Sequence, residues 1–206
     1  MRKTAVPTAT GKIFTDPHFA SLVEKRLEQA AQGQQALPLN DHRKAAVLIP
    51  LLQHDGEWHL LFIRRSVEVQ DHKGQVAFPG GAIETWDENA IAAALRETWE
   101  EIGLPKESIR ILGQMSGRNT ITRYYISPIV GVIPWPSTIL MQTSEVSRVF
   151  TIPLKWLAMP ENHSIKEVIR PNGAREPVYY FKEYDGELLW GITAAMTLHL
   201  LQLITQ

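Results

Sequence analysis

The chain has no cysteine. That absence excludes disulfide staples, thiolate metal sites and a cysteine nucleophile, and it accords with a reducing, cytoplasmic setting. An excess of one charge is missing too: 21 Lys and Arg stand against 22 Asp and Glu, for a formal net charge of -1. No global field therefore draws the chain to nucleic acid or to an anionic membrane, and any recognition of phosphate must be local. Long apolar runs are also absent. The longest, Ala45 to Leu52, falls far below the ~20 residues that a spanning helix needs. The start, MRKTAVPTATGKIF, places no continuous apolar segment behind Arg2 and Lys3, so it does not read as a secretory signal. The seven histidines are scattered, with no HxxxH pair among them.

What is present describes a folded chain. With 206 residues, 44% of them hydrophobic and 21% charged, it has material for one sizeable core. Residues 17–32 place Phe19, Leu22, Val23, Leu27 and Ala30 at helical spacing, with Gly33 as a stop. Lys44–Leu52 and His59–Arg64 read as strands joined at Asp55-Gly56 into a hairpin. Gln75–Phe78 is a short strand ended by Pro79-Gly80-Gly81, and a long helix is predicted from Asp87, as N-cap, to Gly103. Strands follow at Ile109–Met115, Arg123–Ile133 and Glu145–Ile152, then a hairpin over residues 166–181 with Pro171-Asn172-Gly173 at its tip. The last segment, LLWGITAAMTLHLLQLI, is a core helix. This order predicts an α/β fold, a mixed sheet with flanking helices. Residues 1–40 are expected to form an extension whose amphipathic helix packs on a domain spanning 41–206.

The chemistry centres on the predicted helix from Asp87 to Gly103. Ile91, Leu95, Thr98 or Trp99, and Ile102 form its docking face; the acids lie off that face, with Glu100 and Glu101 three and four positions after Glu97 in one neighbourhood. Alone, such a cluster reads equally as a solvated face in which Arg96 pairs with Glu100. The Gly80-Gly81 turn shifts the weight, because it lets backbone approach a phosphate while carboxylates hold a hard cation such as Mg²⁺ or Mn²⁺. A metal bridging a diphosphate neutralises its oxygens and activates water for attack.

Gly80-Gly81 followed by RETWEEIGL (96–104) resembles the signature of the Nudix hydrolases, GX5EX7REUXEEXGU, with Thr98 where an aliphatic residue is usual. The front half is one residue longer than that pattern: its acid is Asp87 counted from Gly81 and Glu88 counted back from Arg96. An additional block resembles the coenzyme A pyrophosphatase branch. Leu60-Leu61 precedes Arg65-Ser66, and Gly74 and Phe78-Pro79-Gly80-Gly81 follow at that block's spacing, with Gln70 where the branch has arginine. SPIVGVIP (127–134), EVSRVFTIPLKWL (145–157) and LLWGITAAMTLHLL (188–201) extend the likeness.

The resemblance implies a Nudix α/β/α sandwich that hydrolyses coenzyme A, or its thioesters, at the diphosphate to give 4'-phosphopantetheine and 3',5'-ADP. It implies Glu97 and Glu101 as metal ligands, Glu100 as a further ligand or as the base, and Arg96 as the residue that orients a glutamate. Asp87 or Glu88 would pair with that arginine. Glu145 is a further catalytic candidate, balanced against an ordinary surface acid. Arg64, Arg65, His72, Lys73, Gly80 and Gly81 are expected at the substrate. Arg118, Arg123, Tyr124 and Tyr125 read either as contacts for a nucleotide or pantetheine arm or as solvent-facing strand residues. Other readings stay open: another nucleoside diphosphate derivative such as ADP-ribose, which Gln70 favours, or a nucleotide-sensing module without turnover. The partner expected is a small molecule, and the chain a monomer or homodimer.

Overall fold

The computed structural model describes residues 13–33, 38–39, 41–68, 72–169, 173 and 175–206. Helix α1 (Phe19–Ala31) buries Phe19, Val23 and Leu27, one residue per turn, as its four-residue spacing dictates. Strands β1 (Arg43–His54) and β2 (Glu57–Arg65) form the expected hairpin. Asp55 and Gly56 between them both take positive φ, 49° and 77°, the geometry whose twist matches that of paired strands.

These two strands pair only from Leu51 and Leu60 towards the turn. Beyond that point they part, and residues 76–82 fill the fork. Strand β3 (Val76–Ala77) runs antiparallel to β2, and β4 (Gly80–Ala82) runs antiparallel to β1. On its other edge β1 pairs in parallel with β7 (Tyr124–Val132) along nine residues. Strands β5 (Arg110–Gln114) and β6 (Arg118–Asn119) add to β7, and β8 (Val146–Pro153) adds to β2, completing an eight-stranded mixed sheet. A short helix α3 (Leu154–Leu157) leads to a separate hairpin, β9 (His163–Ile169) and β10 (Arg175–Phe181). Of its expected tip, Pro171 and Asn172 lie outside the described residues.

Helices cover both faces. The strands alternate between them, so Ile49, Leu51, Leu60, Phe62 and Val130 join one apolar cluster with α1 and α4 (Gly191–Thr205). Leu48, Leu52, Leu61, Ile63 and Ile129 join a second with α2 (Ala90–Ile102). The fold is thus the mixed sheet with flanking helices that the sequence predicts. No helix among the described residues is long and apolar enough to cross a membrane.

Helix α2 begins later than predicted. Its N-cap is Asn89, whose Oδ1 accepts from the amides of Ile91 and Ala92 at 2.9 and 3.0 Å. Asp87 is spent elsewhere, on Arg96, and therefore does not cap. The helix stops as expected at Gly103, with φ of 71°. Of the two docking candidates, Thr98 is buried and bonds back to the Ala94 carbonyl at 2.6 Å, while Trp99 is exposed.

Candidate active site

The fork between β1 and β2 brings backbone amides of β4 against the C-terminal half of α2. Gly80 donates its N–H to Glu101 Oε2 at 2.9 Å. Its φ of 149° suits glycine, and a side chain there would collide with the Ala46 carbonyl. Gly81 is constrained by the site itself, because a Cβ would stand 2.5 Å from the carboxyl carbon of Glu97. Gly80 thus allows β4 to lie close against β1, and Gly81 allows Glu97 to lie directly on the strand.

The three acids of α2 differ sharply in exposure: the side chain of Glu101 is 1% exposed, that of Glu97 16% and that of Glu100 53%. Glu101 therefore lies on the docking face rather than off it. It is held by Gly80 and by Arg65, whose Nη1 stands 3.4 Å from Oε1. Burial pushes the Glu101 carboxyl up to about 8, helped by repulsion from Glu97 and Glu145 and opposed by the Gly80 amide and the Arg65 charge. Burial also raises Glu97, against the hydrogen bond and charge of Arg96 and with added repulsion from Glu100 and Glu145.

Arg96 organises the outer part. It forks onto Asp87, Nε to Oδ1 at 2.9 Å and Nη2 to Oδ2 at 2.8 Å, and also reaches the Ala82 carbonyl at 3.0 Å. Its Nη1 donates to Glu97 at 2.8 Å and to Glu100 at 3.1 Å. The Arg96 hydrogen bond holds the Asp87 carboxyl below its ordinary value. Arg96 thus ties the turn after β4 to the helix and fixes two glutamates at once. The Arg96–Glu100 pair of a plain helix is present, but as one arm of this network.

The structure separates the other sequence candidates. Arg64 and Arg65 are neighbours on β2 and point to opposite faces: Arg65 meets Glu101, whereas Arg64 reaches the buried Glu187 at 3.4 Å, as Arg148 does at 3.0 Å. His72 and Lys73 lie exposed in the turn before β3, with His72 Nδ1 2.9 Å from Gln75 Oε1. Gln70 lies outside the described residues. Glu145 stands at the head of β8, within electrostatic reach of Glu97 and Glu101, and its carbonyl accepts from Ser66 at 2.7 Å. Sequence reasoning missed the Ala82 carbonyl and the Arg65–Glu101 contact. The Arg-Ser of the block marked the arginine but not its target.

Residues 41–172 match the NUDIX domain model. The chain belongs to the Nudix family. The chain is similar to the uncharacterized Nudix hydrolase NudL of Escherichia coli K12, with 37% identity over 157 residues, 76% of this chain and 80% of that protein. A NudL of Photorhabdus laumondii is 36% identical over 163 residues, 79% of this chain and 86% of its own length. Among solved structures, a Nudix hydrolase from M. smegmatis, RenU, aligns at a TM-score of 0.48 and 17% identity, covering 63% of this chain and 80% of that one. A C. elegans Ap4A hydrolase aligns at 0.46 and 19%, covering 55% and 81%. The chain is a Nudix hydrolase, an enzyme of the pyrophosphatase type.

Members of the Nudix family use divalent metals, and the donors here suit one. All are carboxylate oxygens, the choice of a hard cation. They stand close enough to raise one another, so an added positive charge relieves a repulsion already present. Among the described residues no three His, Asp or Glu side chains already converge as a closed cage, since Glu97 and Glu100 are turned onto Arg96.

Proposed function

We propose that this Nudix hydrolase cuts the diphosphate of coenzyme A, or of its thioesters, with a Mg²⁺ or Mn²⁺ ion. The observation that carries the site is Glu101, a carboxylate 1% exposed, seated on the Gly80 amide beside Glu97 and facing Arg65. The branch is supported by the block running from Arg65-Ser66 through Gly74 to Phe78-Pro79-Gly80-Gly81, which delivers both Arg65 and the glycine pair to the glutamates.

In this reading Glu97 and Glu101 would hold the cation, with Glu100 as a further ligand or as the base. When bound, it neutralises the diphosphate oxygens and favours attack by water. Arg96 keeps Glu97 and Glu100 in place, and Glu100 or Glu145 takes the proton from the attacking water. Gly80 and Gly81 let backbone approach the phosphates, while Arg65 and Lys73 supply positive charge, and His72 a ring nitrogen, on the substrate side. Residues 41–206 form the catalytic domain, and residues 1–40 an extension whose helix covers the sheet.

A second reading, a different nucleoside diphosphate derivative such as ADP-ribose, is favoured by Gln70 alone. Incubation of the purified protein with coenzyme A, ADP-ribose and NADH, with and without Mg²⁺ or Mn²⁺, separates the two. The expected result is metal-dependent release of 4'-phosphopantetheine and 3',5'-ADP. Cleavage of ADP-ribose but not of coenzyme A overturns the substrate, and no cleavage of any diphosphate overturns the mechanism.

A further inference from the structure

On the side of the sheet away from the glutamates lies a charge that no ion pair among the described residues balances. Arg118 of β6 stands opposite Ile126 of β7, whose side chain packs against the cluster that α4 covers, so Arg118 shares that face. Its Nε is buried without a hydrogen-bond partner, and among the described residues the guanidinium makes no ion pair. From α4, His199 brings a second buried nitrogen, Nδ1, that also lacks a partner. Burial and the charge of Arg118 both hold the imidazole below its ordinary value. Burial likewise lowers Arg118, and Tyr179 of β10 is the group that opposes this shift. Three separate elements thus converge on a half-buried cation with no carboxylate in the group. Taking a guanidinium out of water without a counter-charge is costly, and folded proteins seldom do it without a use for it.

The geometry points to Arg118, flanked by His199 and Tyr179, as an anion subsite that receives a phosphomonoester of the substrate separate from the diphosphate that is cut. Arg118, Ile126, Ala45 and Ala82 are successive cross-strand neighbours. Three strand spacings, about 14 Å, therefore separate the backbone of Arg118 from the Ala82 carbonyl that anchors Arg96. The arginine side chain and one phosphorylated nucleoside together match that span in length, the ligand passing around the end of the sheet at which β1 begins, two residues before Ala45. A fork of N–H donors suits a phosphate, and a flanking imidazole and phenol add donors to its remaining oxygens. The inference rests on the coenzyme A reading, and it names the part of that substrate which the glutamate site leaves unread: the phosphate on its ribose.

The test is a ratio. The wild-type protein should cleave coenzyme A about tenfold or more better in kcat/KM than dephospho-coenzyme A, the expected worth of one charge-assisted contact. Arg118→Gln should abolish that preference, and Arg118→Lys should keep part of it. Calorimetry provides an arm free of turnover: the wild type should bind adenosine 3',5'-bisphosphate about tenfold tighter than AMP, and Arg118→Gln should bind the two alike. Thermal unfolding without ligand should show Arg118→Gln at or above the wild-type midpoint, whereas an arginine serving only the fold would lower it. A preference for coenzyme A unchanged in Arg118→Gln overturns the subsite, as does a wild type that binds the two nucleotides alike. If coenzyme A is not cleaved yet the bisphosphate preference persists and depends on Arg118, the substrate reading fails and the subsite stands.

Discussion

Helices α2 and α4 sit on opposite faces of one sheet and solve burial differently. The polar residues that α4 buries are threonines, and Thr197 satisfies its hydroxyl within the helix, on the Thr193 carbonyl at 2.9 Å. Helix α2 does the same with Thr98, but it also buries Glu101, whose partners Gly80 and Arg65 belong to two strands. A hydroxyl that bonds its own backbone keeps its consequences local. A buried carboxylate needs help from elsewhere in the chain, so its environment couples helix to sheet. The buried threonines of α4 serve stability, whereas Glu101 of α2 accepts an electrostatic penalty where chemistry is done.

That contrast is exposed to direct attack. Glu101→Gln retains size and an acceptor for Gly80 but removes the charge. Diphosphate turnover should fall by about 10²–10³-fold, the range seen when one charge-stabilising group is lost. The midpoint of thermal unfolding without metal should stay level or rise, and retained turnover would remove Glu101 from the site. On the other face, Leu200→Ala opens a hole at a fully buried position. Urea unfolding should report a loss of about 2–5 kcal/mol, while kcat well below the melting range stays as in the wild type. Asn89→Ala removes the α2 cap at a cost of about 1 kcal/mol. Hydrogen exchange should quicken at the amides of Ile91 and Ala92, and unchanged protection there would mean that Asn89 is not holding the helix start.

Acid should set Glu101 against the buried histidines by sign, with the smallest effect of the four. Glu101 is raised from 4.5 to about 8, so its contribution to stability is complete below 4.5 and is lost as pH rises through 8. His59, His163 and His199 are lowered by burial from 6.5, so their contribution is complete above 6.5 and is lost as pH falls towards their folded values. In the Glu101→Gln background, where the most strongly raised carboxyl is gone and the smaller opposing shift of Glu97 remains, the unfolding midpoint should drop between pH 7 and pH 5. Adding His199→Gln should flatten that drop, and an equal slope in both proteins would place the sensitivity elsewhere.

Local pattern made most elements legible. The Asp55-Gly56 hairpin, the stop at Gly103 and the burial of the last helix follow from turn chemistry and periodicity, which act within a few residues. The parallel partnership of β1 with β7 was not legible, because alternation states that a strand has a buried face but not which distant strand it meets. The same limit hid the divergence of Arg64 from Arg65, whose targets Glu187 and Glu101 arrive from elsewhere in the chain. Charge-based reasoning misread Glu101 as lying off the docking face, since carboxylates are seldom fully buried. Asp87 was the better-looking cap until Arg96, nine positions along, claimed both of its oxygens.

The turn between β4 and α2 is clamped at one end by the Ala82 carbonyl on Arg96 and at the other by Asp87 on the same guanidinium. Glu84, Thr85 and Trp86 bulge outward between those clamps, exposed to solvent. Length variation in that arch is therefore uncoupled from the position of the glutamates. The arch is a place where mutation can sample new loop sequences next to a working catalytic centre without having to rebuild it.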